Sequence, residues 1–428
     1  MTKKNARCGV WLIGAHGGLA TTMVVGTIMA ARKLVSGAGM LTETPPFNQL
    51  DLASLDGLVF GGHDVRRSTV YQSAYEIYRE NGTFDLEKLQ SIKDDLDSVD
   101  ENVCVGTAFN CGATIRRLST RQATRRPGKL RALVAAIQSD IESFRQRNDL
   151  DRVVVVNVAS TEPPLPPDPS LETMKGLRRL LDTDDGRTLR ASVIYGYAAA
   201  ELGLPLINFT PNTGCTVPAI QALARKNKVP IMGNDGKTGE TLVKSALAPM
   251  FKYRNLKVLT WQGYNILGDR DGQVLSNPEN KSSKIKTKDG LLSNILGYPL
   301  HTHVGIDYVP SLKDLKTAWD FIHFEGFLDY KMSLQFTWQG CDAILAAPVV
   351  LDMVRLADFA HRKQESGLMT WLSCFFKSPI GVDEHDLHFQ FHHLLDYVKA
   401  HLAGQPWESG LIARTGQVHL PLRPRKAR

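Results

Sequence analysis

Residues 8–31 read CGVWLIGAHGGLATTMVVGTIMAA. The first six, Cys8 to Ile13, form an apolar run of the kind a strand shows when a parallel sheet buries both its faces. Gly14-Ala15-His16-Gly17-Gly18-Leu19-Ala20 makes a glycine-rich turn, and an apolar helix is predicted from there through about Leu34. Strand, glycine turn and helix open a dinucleotide-binding fold. Glycines let the backbone approach a pyrophosphate, and the helix N-terminus offers N–H donors and a positive dipole. The spacing is G-x-x-G-G rather than G-x-G-x-x-G, so a tight turn without a ligand is the competing reading. Lys3, Lys4 and Arg7 ahead of this uncharged run imitate a signal peptide or a membrane anchor. The breaks at Gly14, His16, Gly17 and Gly18 favour strand, turn and helix instead, and no other segment reads as membrane-spanning.

The same strand-and-turn grammar recurs along the chain. Leu58-Val59-Phe60 reads as a second strand running into Gly61-Gly62-His63-Asp64, after an insertion over about Ser36 to Asp56. An acid in the place of Asp64 holds the adenosine ribose of NAD in such folds, and a helix cap or loop carboxylate is the alternative. Glu80 to Asp100 reads as partly helical, Val103 to Thr107 as a short strand, and Leu130 to Arg147 as a helix. Arg116 to Arg126 (RRLSTRQATRR) is a solvated helix or, on the sharper reading, a phosphate-contacting loop.

Arg152 to Asn157 (RVVVVN) is the clearest strand, and Ala159, Ser160 and Thr161 follow at its carboxyl end, where ligands bind in parallel sheets. Helices over Ser192 to Leu202 and Val217 to Lys226 flank a strand at Leu206 to Asn208. Pro230 to Met232 leads into Gly233-Asn234-Asp235-Gly236-Lys237-Thr238-Gly239. That turn is not a P-loop, which needs G-x-x-x-x-G-K-S/T, so ATP hydrolysis is discounted.

Beyond Leu242 the pattern changes. Val258 to Trp261, His303 to Tyr308 and Lys331 to Trp338 read as strands of a second, mixed or antiparallel sheet. Asp314-Leu315-Lys316 is expected to open a helical segment, and Asp342 to cap a long apolar helix through about His361. Trp371 to Phe376 precedes a last helix from about Asp383 to Leu402, with His385, His388 and His392 expected on one face. Their spacing is not H-E-x-x-H, and a metal there is the minority reading.

Asn265 to Lys288 (NILGDRDGQVLSNPENKSSKIKTK) opens with residues that favour turns and closes with Lys281, Lys284, Lys286 and Lys288. On a helix, Lys281, Lys284 and Lys288 share one face and repel. A solvated basic helix is one reading. The other is an anion site, where a phosphorylated or enolate-forming substrate offsets the repulsion.

The totals suit that site. The chain has 428 residues, 43% hydrophobic and 22% charged, as in a soluble protein of two or more domains. A net charge of +7 suits an anionic metabolite. Without zinc-finger spacing or an arginine-rich arm, nucleic acid is not favoured, and Arg423 to Arg428 reads as a short basic tail. Six scattered cysteines without a C-x-x-C pair fit reduced thiols in a cytoplasm.

Together the motifs resemble the myo-inositol-1-phosphate synthase (inositol-3-phosphate synthase) family, from about Cys8 to Lys377. Gly14 to Thr22 resembles that family's NAD turn, and Gly61-Gly62-His63-Asp64 its G-G-W-D block. Pro211-Asn212-Thr213 resembles P-Q-N-T, one residue shorter, and Gly233 to Gly239 resembles G-D-D-x-K-S/T-G. Asn265 to Lys288 resembles N-H-L-G-N-N-D-G-x-N-L-S-x-P and the two lysines beyond it, which fall on Lys284 and Lys288. Tyr308-Val309-Pro310, Asp314-Leu315-Lys316, Cys341-Asp342 and Phe376-Lys377-Ser378-Pro379 resemble further blocks of active-site lysines and an aspartate. This sequence departs at Asp269-Arg270-Asp271 (N-N-D in the family), at Ile266 (a histidine), at Asp307 (often lysine) and in a glycine turn without the family's asparagines.

The resemblance implies an α/β fold. A Rossmann-type NAD-binding domain over residues 1–241 would be joined by an α+β catalytic and tetramerisation domain over 242–345, and 346–428 would return to the Rossmann domain. It implies that glucose 6-phosphate is oxidised at C5 with NAD, enolised at C6, closed by attack on C1 and reduced again. The product is inositol phosphate, for inositol and phospholipid biosynthesis. Lys284 and Lys316 would then serve the C5 oxygen and its proton, and Lys288 and Lys377 the phosphate or the C1 oxygen. Asp235 and Asp342 would tune them, with Asp271 beside the site. Cofactor contacts would come from Gly14, Ala15, Gly17, Gly18, Leu19, Asp64, Ala159, Ser160, Thr161, Asn212, Thr213, Asp235 and Thr238. A homotetramer is implied, and a divalent or monovalent cation is left open. The alternatives are a divergent cyclase acting on another sugar phosphate such as fructose 6-phosphate, and a non-catalytic NAD-binding regulator.

Overall fold

The computed structural model describes residues 7–119, 128–268, 291–313 and 315–407. A seven-stranded sheet carries the first part of the chain. Its strands are β1 (Cys8–Ile13), β2 (Leu58–Asp64), β3 (Val103–Val105), β4 (Arg152–Asn157), β5 (Leu206–Asn208), β6 (Pro230–Gly233) and β11 (Gly367–Leu368). The order is β11-β6-β5-β4-β1-β2-β3 and every pair is parallel. Both faces are buried, which is why β1 and β4 are continuous apolar runs. On β4, Val154 and Val156 point into one core, Val153 and Val155 into the other.

Helices cover the two faces. The first core packs α1 (Gly18–Ala31), α2 (Val70–Asn81), α3 (Leu86–Ser91) and α4 (Lys93–Asp100). The second is built on α6 (Leu130–Arg147), α7 (Met174–Asp182), α8 (Ala191–Glu201) and α9 (Pro218–Lys226), with the short α5 (Gly112–Leu118) at its edge. The glycine turn sits where β1 meets β2. A Cβ on Gly62 would overlap the Leu12 carbonyl, so only glycine lets the strands pair there.

The second sheet holds β7 (Lys257–Leu267), β8 (His301–Tyr308), β9 (Leu315–Glu325) and β10 (Lys331–Cys341) in the order β10-β9-β7-β8. β7 and β8 are parallel and β9 is antiparallel to both its neighbours, so the sheet is mixed. Its inner face packs on α10 (Gly239–Tyr253) through Phe251, Trp261 and Ile322. The chain then returns through α11 (Asp342–Arg362), β11 and α12 (Leu387–Leu402) to the first core.

Several expectations are corrected. Leu315-Lys316 opens strand β9, not a helix. Its period is two, with Ala318, Asp320 and Ile322 buried, and the buried acid at Asp320 disguised the alternation. Asn265 to Leu267, at the head of the lysine stretch, is the end of β7. Cys341 is the N-cap of α11, and Asp342 is its first helical residue. The last helix begins at Leu387 behind an Asp386 cap, so His385 lies ahead of it and shares no helical face with His388 and His392. Helix α7 and strand β11 were not foreseen. Asp271, Lys284 and Lys288, with Asp314 and the basic tail, fall outside the described residues. Among the described residues, no helix is long and apolar enough to cross a membrane.

Candidate active site

The glycine turn is braced from β2. The His63 carbonyl accepts from the Gly14 and Ala15 N–H groups at 2.8 and 3.0 Å. Gly14 has φ +94°, the left-handed region that favours glycine. The Asp64 carboxylate accepts from the His16 N–H at 2.8 Å and from the Arg66 N–H at 2.6 Å. Helix α1 starts behind Gly17 with no side-chain cap and no acid in its first turn. A Cβ at Gly18 would meet nothing. A helix start with unclaimed N–H groups, open space and no negative charge fits the pyrophosphate of a dinucleotide.

Opposite this turn lie the carboxyl ends of β4 and β5. Asn212 accepts from the Glu162 N–H at 2.6 Å and donates to the Ser160 carbonyl at 3.1 Å, so the two loops move as one. Glu162 accepts from the Ser192 hydroxyl at 2.5 Å and N–H at 3.0 Å, and burial pushes its carboxyl above the usual range.

The loop after β6 brings the distant parts together. Residues 233–237 pair with 375–380: Lys377 N–H donates to the Asp235 carbonyl at 2.7 Å and Lys237 N–H to the Phe375 carbonyl at 2.8 Å. This register sets the Lys377 ammonium 2.9 Å from the Asp235 carboxylate, both nearly buried. Asp235 itself has φ +61°, a left-handed conformation held by its backbone bonds. Lys237 points the other way, into α12. It is buried, donates to Gln390 at 2.5 Å, and burial lowers it to about 8.

The second sheet closes the site from the far side. Lys316 on β9 donates to Asp342 at 3.3 Å, and Asp342 also accepts from the Thr238 hydroxyl at 3.0 Å. Gly239, the first residue of α10, lies in the same cleft as Lys316 and Asp342. Below it a buried network joins α10 to the sheet. Lys244 pairs with Glu240 and lies 3.7 Å from Asp320, Asn265 donates to Glu240, and Trp261 donates to Asp320 at 2.6 Å.

Of the site residues expected from sequence, the structure therefore brings Asp235 to Lys377, and Lys316 to Asp342 and Thr238. Gly14, Ala15, Gly17, Gly18, Leu19 and Asp64 lie at the carboxyl ends of β1 and β2 and at the start of α1, with Ala159, Ser160, Thr161, Asn212 and Thr213 on the loops after β4 and β5. Sequence reasoning did not single out Lys237, Glu240, Lys244 or Asp320. The Glu240–Lys244 spacing of four on α10 was the available signal. Among the described residues, no group of three or more His, Cys, Asp or Glu could hold a metal ion.

The comparisons agree with this geometry. The model of an NAD-binding family described as myo-inositol-1-phosphate synthase matches residues 8–399. The inositol-3-phosphate synthase 1 of Bacteroides thetaiotaomicron is 33% identical over 407 residues, covering 89% of this chain and 91% of its own length. The inositol-3-phosphate synthase 1 of rice is 27% identical, covering 84% of this chain and 75% of its own. In fold, the chain is similar to the crystal structure of inositol-3-phosphate synthase from Caenorhabditis elegans, with TM-score 0.82 at 24% identity over 95% of this chain and 88% of that one. With its two sheets, its glycine turn and its near full-length match, the chain belongs to the myo-inositol-1-phosphate synthase family.

Proposed function

We propose that this chain is an inositol-3-phosphate synthase, an isomerase that turns D-glucose 6-phosphate into 1D-myo-inositol 3-phosphate with no net redox change. One observation carries the reading. Two lysine–aspartate pairs, Lys377–Asp235 and Lys316–Asp342, meet at the loop and helix start between the two sheets. Bound at the glycine turn, NAD supplies a reversible hydride acceptor. The sugar loses hydride from C5, and the ketone so formed acidifies C6. The resulting enolate attacks the C1 aldehyde, and hydride returns to C5. Each step places negative charge on oxygen, which fixed ammonium groups stabilise.

Lys316, with Lys284, serves the C5 oxygen and its proton. Lys377, with Lys288, serves the phosphate or the C1 oxygen. Asp342 and Asp235 hold Lys316 and Lys377 in place, and Asp271 lies beside the lysine stretch. The cofactor contacts expected above stand as proposed, with Asp64 acting by shaping the loop beside the ribose through its bonds to the His16 and Arg66 N–H groups. Cation need is part of the same test, by adding and chelating divalent and monovalent ions.

The proposal divides the chain at residues 1–241, 242–345 and 346–428. It is supported by the second sheet, whose strands all lie between Lys257 and Cys341. It includes a homotetramer joined through that sheet, whose outer face carries Tyr264 and Trp319 and whose hairpin tip exposes Phe327, Leu328 and Tyr330. Six free cysteines suit a reducing cytoplasm.

The test is purified protein with NAD and glucose 6-phosphate, followed by phosphorus and proton NMR and by absorbance for NADH. Inositol phosphate without net NADH supports the reading. Turnover of fructose 6-phosphate alone makes it a divergent cyclase, and silence with both despite NAD binding makes it a regulator.

A further inference from the structure

We propose that Arg66 makes the dinucleotide site accept an adenosine 2′-phosphate, so that the chain binds NADP as well as NAD. The inference rests on the cofactor reading of the glycine turn and concerns which dinucleotides enter it.

An acid at the end of the second strand selects NAD by hydrogen-bonding the ribose hydroxyls, and it repels a 2′-phosphate, whereas an arginine nearby accommodates that phosphate. Here the acid is turned inward. Asp64 is 6% exposed, and each of its oxygens already accepts a backbone N–H, one from His16 and one from Arg66. Its charge is partly neutralised by the loop it shapes.

The residue two places on supplies the opposite charge. Arg66 reaches back across the turn, and its Nη2 donates to the His16 carbonyl at 2.9 Å and to the Ser73 hydroxyl at 2.8 Å. Both partners are neutral, and among the described residues no carboxylate pairs with this guanidinium. A half-buried guanidinium held by neutral groups has its remaining N–H donors to offer an anion.

No acid lies between Val65 and Val70; Arg67 is exposed, Ser68 donates to the Thr69 carbonyl at 3.3 Å, and Thr69 caps α2 by accepting from the Gln72 N–H at 3.0 Å. Across the turn, Asp100 is held by the His16 ring at 3.0 Å and by the Val70 N–H.

The test is direct titration of the full chain with NAD and with NADP, by calorimetry. NADP should bind within about tenfold of NAD. Arg66→Ala should lower the NADP-to-NAD affinity ratio by about tenfold or more, the worth of one charge-assisted hydrogen bond. Arg66→Lys, which keeps charge but not the planar fork, should recover part of it. Rising salt should weaken NADP more than NAD.

NADP binding more than about 100-fold weaker than NAD in the unaltered chain, about the gap an excluded phosphate creates, overturns the proposal and leaves the function intact. An unchanged ratio in Arg66→Ala, with both affinities falling together, also overturns it, because Arg66 would then only brace the loop. Failure to bind either dinucleotide overturns the cofactor reading as well.

Discussion

Replacing Lys237 by methionine should change how stability depends on pH, and the structure sets the size. The Lys237 ammonium is buried and donates to the Gln390 side-chain carbonyl, and desolvation brings it from the ordinary 10.5 to about 8. Glu384, Asp386 and Cys374 face it and pull the other way, and His385 beside it is itself pushed down by burial and by this lysine. The drop corresponds to about 3 kcal/mol of desolvation left uncompensated.

Between about pH 8 and 10.5 the unfolded chain binds a proton at this position that the folded chain has released. Stability from this group therefore rises with pH across that window, and the cost is fully present, and flat, below it. In Lys237→Met the rise disappears. The variant also leaves the Gln390 carbonyl without its donor, a cost of roughly 1–3 kcal/mol that does not vary with pH. Urea unfolding of both proteins at half-unit intervals from neutral pH to the top of that window gives the difference curve. The difference should climb by about 3 kcal/mol in favour of the unaltered chain as pH rises. A flat difference, or one that falls, would refute the argument that Lys237 is held charged against its burial.

Three further outcomes are expected. Lys316→Ala should lower kcat by about 10²–10³-fold, the usual loss when one fixed charge is removed from a developing oxyanion. NAD affinity by titration should hold, because the role proposed for Lys316 on β9 is at the sugar oxygen and not at the glycine turn; Lys284→Ala should behave alike. Gly62→Ala drives a Cβ into the Leu12 carbonyl and should cost about 3 kcal/mol or more, seen as a lower Tm together with lost NAD binding. If the proposed tetramer joins through the outer face of the second sheet, Trp319→Lys there should give smaller species by light scattering than the unaltered chain, while the circular dichroism stays unchanged.

What could be read from sequence follows from how local each signal was. β1, β4 and α6 were legible to the residue, because a strand buried on both sides is a plain apolar run and α6 has a clean 3.6 period. β9 was not, because its inward Asp320 is polar. Its burial makes sense only with Lys244 and the Trp261 N–H in place, and neither is near it in sequence. β11 is two residues long and exists only as a partner of β6. The site divides in the same way. Asp235 and Lys377 could be named from motifs, but their pairing depends on backbone bonds between segments 142 residues apart. The burial of Lys237 depends on α12 folding back over that loop, and its motif carries no sign of it.

The central claim is that one bound cofactor both takes and returns the hydride, while the lysines hold the charge that forms on the sugar oxygens. Glucose 6-phosphate carrying deuterium at C5 tests it most directly, with the product read by NMR and mass spectrometry. The account predicts inositol phosphate that keeps the deuterium on the carbon it left and loses one hydrogen from C6 to solvent. Deuterium found in free reduced cofactor, or washed out of the product, would contradict it.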